Sequence, residues 1–425
     1  MKKISIKGLD ETVLFKELDN GLKVYMIAKP YFAYTSAIFS VPFGGMYSEY
    51  KLKNETKYIK VPKGVAHLLE HCKFEQDKRE SPRQFYPRTG TFSNAITSPT
   101  NTEYFIYGYE NMEENILFLL DYVQDPVFSE VNIEREKKVI NEELDLMVAD
   151  SIQRQSFVHM LNSTLVKSTY KNDVGGTNEE IALIDRDLLN KLYNDFYHPK
   201  NMSLVIVGNI DPDQLIKKIS DNQSTKQFPE FKEPTIKEAN EPYQVLTKYS
   251  ESELAIEEPR IIFNLKIKRD NTDVNKMTKE DYYMAFLLNL LPGKLNEVLK
   301  QKQIAQHGAN IYHFAHDNFH ILSLYADASL TEEFVLEVKN YLANLCISEE
   351  EIERKKKATM RNLISRADRI DALSSYVINN LNDYGMVDIN EYDIIKSINK
   401  ESLQKVIDKI DLDNYSVCVI KPIKK

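Results

Sequence analysis

The sequence predicts an α+β fold of two similar halves, each a mainly antiparallel sheet with helices packed on one face. Its 425 residues exceed what a single hydrophobic core usually organises. Strand-like and helix-like segments follow one another in a similar order in both parts of the chain, and residues 223–242 between them are rich in proline and charge. We therefore expect one domain at 1–222, a linker at 223–242 and a second domain at 243–425.

The first half is expected to alternate between strands and helices. In the segment TFSNAITS, residues 92, 94 and 96 would point to one side of a strand and residues 93, 95 and 97 to the other. Residues 63–75 contain good helix formers after a glycine and no proline, which predicts a helix, and the polar stretch YSEYKLKNETKYIK before it is expected to be a loop. The other predicted elements are strands at GLKVYMIAKP, YTSAIFSVPFGG, EYFIYGYE and NMSLVIVGNID, and helices at NMEENILFLLDYVQ and at residues 130–149.

The second half is expected to repeat this order with a strand, a helix, a strand, two helices and a last strand. The segments that carry the prediction are PRIIFNLKIK, EDYYMAFLLNLL, FHILSLYADA and YSVCVIKP. The similar order suggests a duplication, although no short repeat is visible.

Composition and charge exclude several classes of protein. The formal net charge of −9 implies no basic face, which argues against a nucleic-acid partner. No run of about 18 apolar residues predicts a transmembrane helix. The first residues lack the apolar core of a secretion signal, and the 3 cysteines are few and widely spread, so we expect a cytoplasmic protein.

The string HLLEH at residues 67–71 lies in the predicted helix. Each helical residue turns by about 100°, so His71 falls about 40° and Glu70 about 60° from His67, all on one face. Two histidines one turn apart lie about 6 Å apart along the axis, which suits one tetrahedral zinc ion. The residues expected on the buried back of this helix are Val65, Leu69 and Cys72.

A catalytic zinc takes a third protein ligand and keeps one position for water. In the segment EREKKVINEELDLM, Glu143 and Glu136 fall about 60° and 40° from Ile140, at the edge of the apolar stripe, whereas Glu142 points to solvent. A buried carboxylate is costly unless it is paired or binds a cation. We therefore select Glu143 as the third ligand of one zinc ion per chain and Glu136 as a supporting carboxylate. The apolar stripe consists of Ile133, Ile140, Leu144 and Met147.

Other interpretations of these residues remain open. An HxxEH string arises by chance in roughly one chain in a hundred of this size, so a solvated helix with aligned histidines is the simplest alternative. A metal-sensing or storage site usually has four protein ligands, which disfavours that function. A second histidine cluster is interpreted as polar and turn residues, because FAHDNFH is typical of a hairpin. Its members are His307, His313, His316 and His320.

These motifs resemble the pitrilysin and mitochondrial-processing-peptidase family, the inverzincins, which carry HxxEH followed by a distant glutamate. The resemblance covers nearly the whole chain and extends to short bacterial members that work in pairs. GVAHLLEHCKF is similar to the family's metal helix, GTFSNAITSPTNTEYFIY to its G-x-x-N-A-x-T edge strand, and EREKKVINEEL to its E-x6-E helix. The segments LDNGLKVYMIAKP, VPFGG and FYHPKNMSLVIVGNID resemble other strands and helices of the same half.

The resemblance implies a zinc-dependent endopeptidase that hydrolyses peptides or unfolded precursor segments. Glu70 stays off the metal, acts as general base on the attacking water and passes the proton to the leaving amine. The family's second carboxylate falls on Glu136. The edge strand would bind the substrate backbone, with Asn94, Ala95 and Phe92 as substrate-binding candidates. For Asn94 alone, a hydrogen bond to a neighbouring turn is an equally good interpretation.

The second half departs from the family pattern. The family carries an arginine and, seven residues later, a tyrosine in a pattern like R-x-x-x-G-L-x-Y, which bind substrate and stabilise the transition state. The corresponding stretch, residues 299–307, reads LKQKQIAQH and lacks all of them. We expect this chain to be the catalytic subunit of a heterodimer whose partner chain supplies the Arg and Tyr. The alternative is a non-catalytic scaffold or peptide-binding subunit of the same fold.

Overall fold

The structure, a computed structural model, describes residues 1–75, 80–125, 128–150, 152–237, 239–269, 278–316 and 318–423, with the backbone alone at 147–150. The chain forms two compact units, each assembled from separate stretches of sequence. Unit 1 comprises Met1–Leu144, Asn172–Glu238 and Asn362–Asn390, and unit 2 comprises Asp145–Lys171, Ala239–Arg361 and Glu391–Lys425. The domain boundaries at 222 and 243 stay a prediction.

The strands, numbered along the chain, are β1 Lys2–Ile6, β2 Glu11–Glu17, β3 Lys23–Ala28, β4 Thr35–Val41, β5 Glu49–Leu52, β6 Ile59–Lys60, β7 Phe92–Thr97, β8 Thr102–Gly108, β9 Ser203–Gly208, β10 Pro234–Ile236, β11 Tyr249–Leu254, β12 Arg260–Lys268, β13 Asn310–His316, β14 Phe319–Asp327 and β15 Tyr415–Pro422.

The α-helices are α1 Val65–Lys73, α2 Pro82–Arg88, α3 Met112–Val123, α4 Glu130–Asp150, α5 Ile152–Thr164, α6 Asn178–Ala182, α7 Arg186–Phe196, α8 Pro212–Ser224, α9 Lys279–Leu288, α10 Pro292–Gln301, α11 Thr331–Ala343, α12 Glu349–Ile364, α13 Ile370–Tyr384, α14 Glu391–Ser397 and α15 Lys400–Ile407. Short 3-10 helices lie at Thr169–Lys171, Pro199–Asn201 and Ser365–Asp368. None of the described helices combines the length and apolar character needed to cross a bilayer.

Unit 1 is built on a seven-stranded sheet in the order β1-β2-β3-β9-β4-β8-β7. Only β3 and β9 pair in parallel, and the other neighbours are antiparallel. β7 is the last strand at one edge, where its outer backbone groups meet no further strand among the described residues. α1 and α3 pack against the β7–β8 end of this sheet, so the predicted helix with the HLLEH string lies beside a sheet edge.

One helix of unit 1 comes from a distant part of the sequence. α13 packs on β4 and β9, where Ser36 and Ser374 hydroxyls lie 2.9 Å apart and Ser40 donates to Asn382 Oδ1 at 3.0 Å. Successive residues of a strand point to opposite faces, and Ala37 and Phe39 belong to the core that α1 and α3 cover. α13 therefore covers the second face of the sheet.

A small sheet in unit 1 uses segments that the sequence predicted to be irregular. β10, within the predicted linker, pairs with β5, and β5 pairs with β6, so the polar loop before Pro62 contains two short strands. Tyr50 and Leu52 are buried and alternate with charged residues, which is the period of a strand over too few residues to stand out.

Unit 2 contains a five-stranded sheet in the order β11-β15-β12-β14-β13. β11 and β15 are parallel, and the remaining pairs are antiparallel. α5, which precedes the rest of this unit in the sequence, packs against β12 and β15. The predicted α+β class with two helix-bearing sheets is confirmed.

Candidate active site

The helix α1 begins at a glycine that no other residue can replace without a shift. Gly64 has φ +81°, in the left-handed region, and a Cβ there would lie 2.4 Å from the carbonyl oxygen of Gly175. The chain thus turns sharply into α1 while packing on a neighbouring loop. The predicted back of the helix is buried: Val65, Leu69 and Cys72 have exposed fractions of 4%, 0% and 2%.

The opposite face of α1 presents the two histidines to a carboxylate from α4. The ring centroids of His67 and His71 lie 4.6 Å apart with an interplanar angle of 80°. Glu143 Oε2 lies 3.9 Å from His67 Nε2 and 3.6 Å from His71 Nε2. One ligand atom from each of the three residues lies within 4.8 Å of the others, and no other such group of His, Cys, Asp or Glu occurs among the described residues.

This donor set fits zinc. Ligand atoms around a tetrahedral zinc ion lie about 3.4 Å apart, since the zinc–ligand bonds are about 2.0–2.2 Å long. The measured separations of Glu143 Oε2 from the imidazole nitrogens, 3.6 and 3.9 Å, are longer than good hydrogen bonds and close to that value. Two imidazoles and one carboxylate with a free fourth position are typical of hydrolytic zinc sites.

The predicted face of α4 supplies this carboxylate. Ile133, Ile140 and Leu144 are buried, with exposed fractions of 2%, 0% and 8%, and the side chain of Met147 lies outside those described. Glu143 is partly exposed and Glu142 is exposed, as the helical geometry requires of positions about 100° apart.

Glu136 supports the site from behind His71. Its Oε2 lies 3.2 Å from His71 Nδ1, and its Oε1 accepts from Arg135 Nε at 3.2 Å. Burial raises the pKa of Glu136, but the hydrogen bonds from His71 and Arg135 outweigh burial and hold that pKa below its usual value. The carboxylate therefore stays charged and holds the imidazole with Nε2 directed towards Glu143, at the candidate metal position.

Glu70 lies beside this group without belonging to it. Its side chain is buried, and its Oε2 accepts a hydrogen bond of 2.5 Å from Thr97 Oγ1 at the end of β7. Burial raises the pKa of Glu70, while the hydrogen bond from Thr97 and the charge of His71 act in the opposite direction; the net pKa is raised. A carboxyl group with a raised pKa is suited to take up and release a proton.

The charge of Glu70 acts on three buried tyrosines. The hydroxyls of Tyr104 and Tyr197 lie 2.9 Å apart, and burial raises the pKa of both, with Glu70 as a further cause. Tyr122 is equally buried, and its pKa is raised by burial and by the charge of Glu70. Glu70 itself is also buried, so solvent reaches little of its side chain.

The substrate-binding candidates lie on β7, at the sheet edge. Phe92 is 57% exposed, and the side chain of Asn94 is exposed as well. Asn94 Oδ1 accepts a hydrogen bond of 2.9 Å from the N–H of Ala95, its own neighbour. This N–H therefore points away from β8 to the free edge, where Asn94 now covers it.

The second histidine cluster takes part in a polar network of unit 2. His313 Nε2 and His320 Nδ1 lie 3.2 Å apart, and His320 Nε2 lies 3.3 Å from Asp281. The two histidines belong to the hairpin of β13 and β14 that FAHDNFH predicted. The stretch at 299–307 runs from the end of α10 into a turn where Gln303 has φ +57°.

Two family models match successive parts of the chain. "Insulinase (Peptidase family M16)" matches residues 54–178. "Peptidase M16 inactive domain" matches residues 183–359. The chain belongs to peptidase family M16. The candidate metal-binding group of this M16 peptidase lies on α1 and α4, within the part matched by the first of the two models.

The M16 peptidase resembles bacterial proteins over its full length. It is 29% identical over 433 residues to the "Uncharacterized zinc protease YmfH" of Bacillus subtilis (strain 168), with 99% of both chains covered. It is 22% identical over 429 residues to an "Uncharacterized zinc protease" of Rickettsia bellii, covering 97% of this chain and 98% of the other.

Solved structures share its fold. An M16-like peptidase from Alicyclobacillus acidocaldarius superposes with a TM-score of 0.89 at 23% identity, covering 99% of this chain and 100% of the other. A protease from Helicobacter pylori gives a TM-score of 0.81 at 18% identity, covering 96% and 99%.

Sequence reasoning missed two neighbours of the site. The strand period places Thr97 on the same side of the strand as Ala95, but the pattern alone indicates no role for its hydroxyl. Arg135 binds both Glu136 and Glu75 Oε2, the latter at 2.7 Å, and nothing in the sequence pattern gives it a role. Only the distances between side chains from separate elements show that these residues belong to the site.

Proposed function

We propose that this M16 peptidase is a zinc-dependent endopeptidase that hydrolyses peptides or unfolded precursor segments. The observation that carries the proposal is the convergence of His67 Nε2, His71 Nε2 and Glu143 Oε2, with Glu70 beside them and engaged elsewhere. The full-length similarity to proteins described as zinc proteases supports the same metal and reaction class.

When bound, zinc would supply Lewis-acid activation of water and of the scissile carbonyl. His67, His71 and Glu143 would hold it, and Glu136 would fix the orientation of His71. Glu70 would accept a proton from the attacking water on the carboxylate oxygen that Thr97 does not occupy, and would release it to the leaving amine.

The substrate is expected to pair with β7. In an antiparallel ladder the N–H and C=O of one residue point to the same side, so the free edge carries the groups of alternate residues, including Ala95. An extended peptide that adds to this edge runs past Thr97 and Glu70. Asn94 would leave the Ala95 N–H and contact the peptide, with Phe92 offering an exposed apolar side chain.

We further propose that a partner chain completes the enzyme. Residues 299–307 contain no arginine and no tyrosine, and Lys302 is engaged 2.6 Å from Glu337. Neutralisation of the developing oxyanion therefore needs donors from elsewhere. The purified chain alone should hydrolyse peptides slowly, and addition of the partner should raise kcat/KM; full activity of the chain alone would contradict this proposal.

The zinc-peptidase proposal is tested on the purified chain with its partner. We expect about one zinc per chain by metal analysis, hydrolysis of an unfolded peptide, loss of activity with a chelator and recovery on adding zinc. Glu70→Gln should keep the zinc and lower kcat by about 10²–10⁴-fold, because it removes the general base but no ligand.

Glu134→Gln provides the matched control, since Glu134 is exposed on α4 and should leave kcat unchanged. A protein that binds zinc but cleaves no peptide, with or without its partner, would instead be a peptide-binding subunit. Unchanged kcat in Glu70→Gln would refute the role of Glu70.

A further inference from the structure

We infer that Thr97 is a positioning residue that holds the catalytic base Glu70 and links it to the substrate-binding edge of the sheet. The inference rests on the proposed function and adds to it a residue whose hydroxyl lies within hydrogen-bond distance of Glu70 and Thr102. It stands on the geometry of one hydrogen bond and on the place of Thr97 in its strand.

The hydrogen bond between Thr97 and Glu70 is short and buried. Thr97 Oγ1 lies 2.5 Å from Glu70 Oε2, and Glu70 is only 7% exposed. A hydroxyl that donates to a carboxylate gives one of the stronger hydrogen bonds in proteins, and its loss in a buried place leaves the acceptor without compensation. No other hydrogen bond to this carboxylate is formed by the described residues, so Thr97 alone fixes its orientation in this way.

The direction of the hydrogen bond follows from the neighbouring hydroxyl. Thr102 Oγ1, which lies 3.4 Å from Thr97 Oγ1, donates its proton to the carbonyl oxygen of Phe43 at 2.8 Å. Thr97 has a single hydroxyl proton, and an ionised carboxylate can only accept. The proton of Thr97 therefore points at Glu70, and the second carboxylate oxygen is left for the water.

The backbone of Thr97 also lies at the sheet edge where a bound peptide would pair. The N–H of Ser98 bonds to the carbonyl of Asn101, whereas the N–H of Ala95 faces the free edge, so the backbone of Thr97 belongs to the outward-facing set. A peptide added to β7 would fix the backbone of Thr97, and the side chain of the same residue fixes Glu70. Substrate docking and orientation of the base thus share one residue.

The competing interpretation is that Thr97 only stabilises the β7–β8 hairpin. Thr97 pairs with Thr102 at the closed end of that hairpin, just before the turn at 98–101. A hairpin role predicts loss of stability and weaker substrate binding when the hydroxyl is removed. A positioning role predicts a lower kcat with KM and zinc content preserved.

Three variants separate these interpretations in the zinc-loaded protein with its partner. Thr97→Val keeps the branched shape and removes the hydroxyl, and we expect kcat to fall about 10- to 100-fold with KM changed less than about threefold, because general-base catalysis is worth about 10²–10⁴-fold in total. Thr97→Ser restores the hydroxyl and should return kcat to within about threefold of the native value. Thr100→Val, in the hairpin turn, should leave kcat unchanged.

A crystal structure of the zinc-loaded Thr97→Val protein supplies a readout that needs no activity. We expect the carboxylate of Glu70 to leave the place it occupies in the native protein, while His67, His71 and Glu143 stay in place. An unmoved Glu70, a kcat within twofold of native, or equal losses in Thr97→Ser and Thr97→Val would each overturn the inference. If the native protein cleaves no peptide, the proposed function fails, and the position of Glu70 in this crystal still decides the role of Thr97.

Discussion

Both units of this M16 peptidase contain carboxylates beside positively charged or imidazole side chains, but the two sets are arranged differently. In unit 2, Glu241 and Lys266 form an ion pair of 2.6 Å with both side chains fully buried. Glu241 also accepts the backbone N–H groups of residues 166–168 at 2.6–2.8 Å, and Lys266 donates to two carbonyl oxygens. Every charge in this set has its partners within the protein.

In unit 1, the carboxylate of Glu143 and the imidazoles of His67 and His71 converge on a common point without forming strong hydrogen bonds to one another. Glu143 Oε2 stands 3.6 and 3.9 Å from the two imidazole Nε2 atoms, too far for strong hydrogen bonds, while Glu136 holds the far side of His71. The difference separates structure from function: a set whose members satisfy each other stabilises the fold, and a set directed at a common point between its members is suited to bind an ion.

His67, His71 and Glu143 form a group directed at a common point, which we call the open set. The largest expected effect comes from removing Glu143, the carboxylate of this set. Apparent zinc-binding free energies in proteins of about 10–16 kcal/mol, shared among the ligands, imply roughly 4 kcal/mol for one of three. We expect Glu143→Ala to weaken zinc binding by about a thousandfold, measured by competition with a fluorescent chelator. Glu142→Ala is the matched control, one residue away and exposed; equal zinc affinities of the two variants would contradict the assignment.

Glu241 and Lys266, with their partners in unit 2, form what we call the closed set. Breaking it should destabilise the fold and leave zinc binding intact. Glu241→Gln leaves the fully buried charge of Lys266 uncompensated, and we expect the free energy of unfolding to fall by about 3–5 kcal/mol. The measurement is urea unfolding of the metal-free protein, followed by a probe in unit 2.

The control for this prediction is an exposed ion pair with the same separation. Lys421 and Glu251 also lie 2.6 Å apart in unit 2, with side chains 46% and 42% exposed. Glu251→Gln should lower the free energy of unfolding far less than Glu241→Gln, because solvent already screens that pair. Similar losses in Glu241→Gln and Glu251→Gln would show that burial does not govern the strength of the closed set.

The sequence predicted the elements that carry the open set because helical period places side chains within one element. The apolar back of α1 and the buried stripe of α4 fixed which faces His67, His71 and Glu143 occupy. The alternation in β7 likewise placed Ala95 on the opposite side of the strand from Phe92.

The remaining features depend on which elements meet, and no pattern within one element gives that information. α13 packs on the sheet of unit 1, although the sequence on both sides of it belongs to unit 2. α5 packs on the sheet of unit 2, although most of the neighbouring sequence belongs to unit 1. β1 and β2 were missed because few of their residues are buried. Thr97 is one hydroxyl on a strand, and only its 2.5 Å contact distinguishes it from any other threonine.

The smallest expected effect concerns His313, which contacts His320, which in turn contacts Asp281 in unit 2. Burial, with the charge of His320 beside it, lowers the pKa of His313 from 6.5 to about 3, although Asp281 acts against this shift. The unfolded chain takes up a proton here as the pH falls below 6.5 and the folded chain does not until about 3. The folded state therefore keeps this stability above that window and loses it progressively within it, by about 2 kcal/mol at pH 5. The measurement is the free energy of unfolding of the metal-free protein at pH 7.5 and at pH 5. We expect its loss between these two pH values to be smaller by this amount in His313→Asn than in the native protein. His307→Asn is the control, because His307 is exposed, and it should behave like the native protein. Identical pH dependence in all three proteins would show that His313 takes up its proton equally well in the folded state.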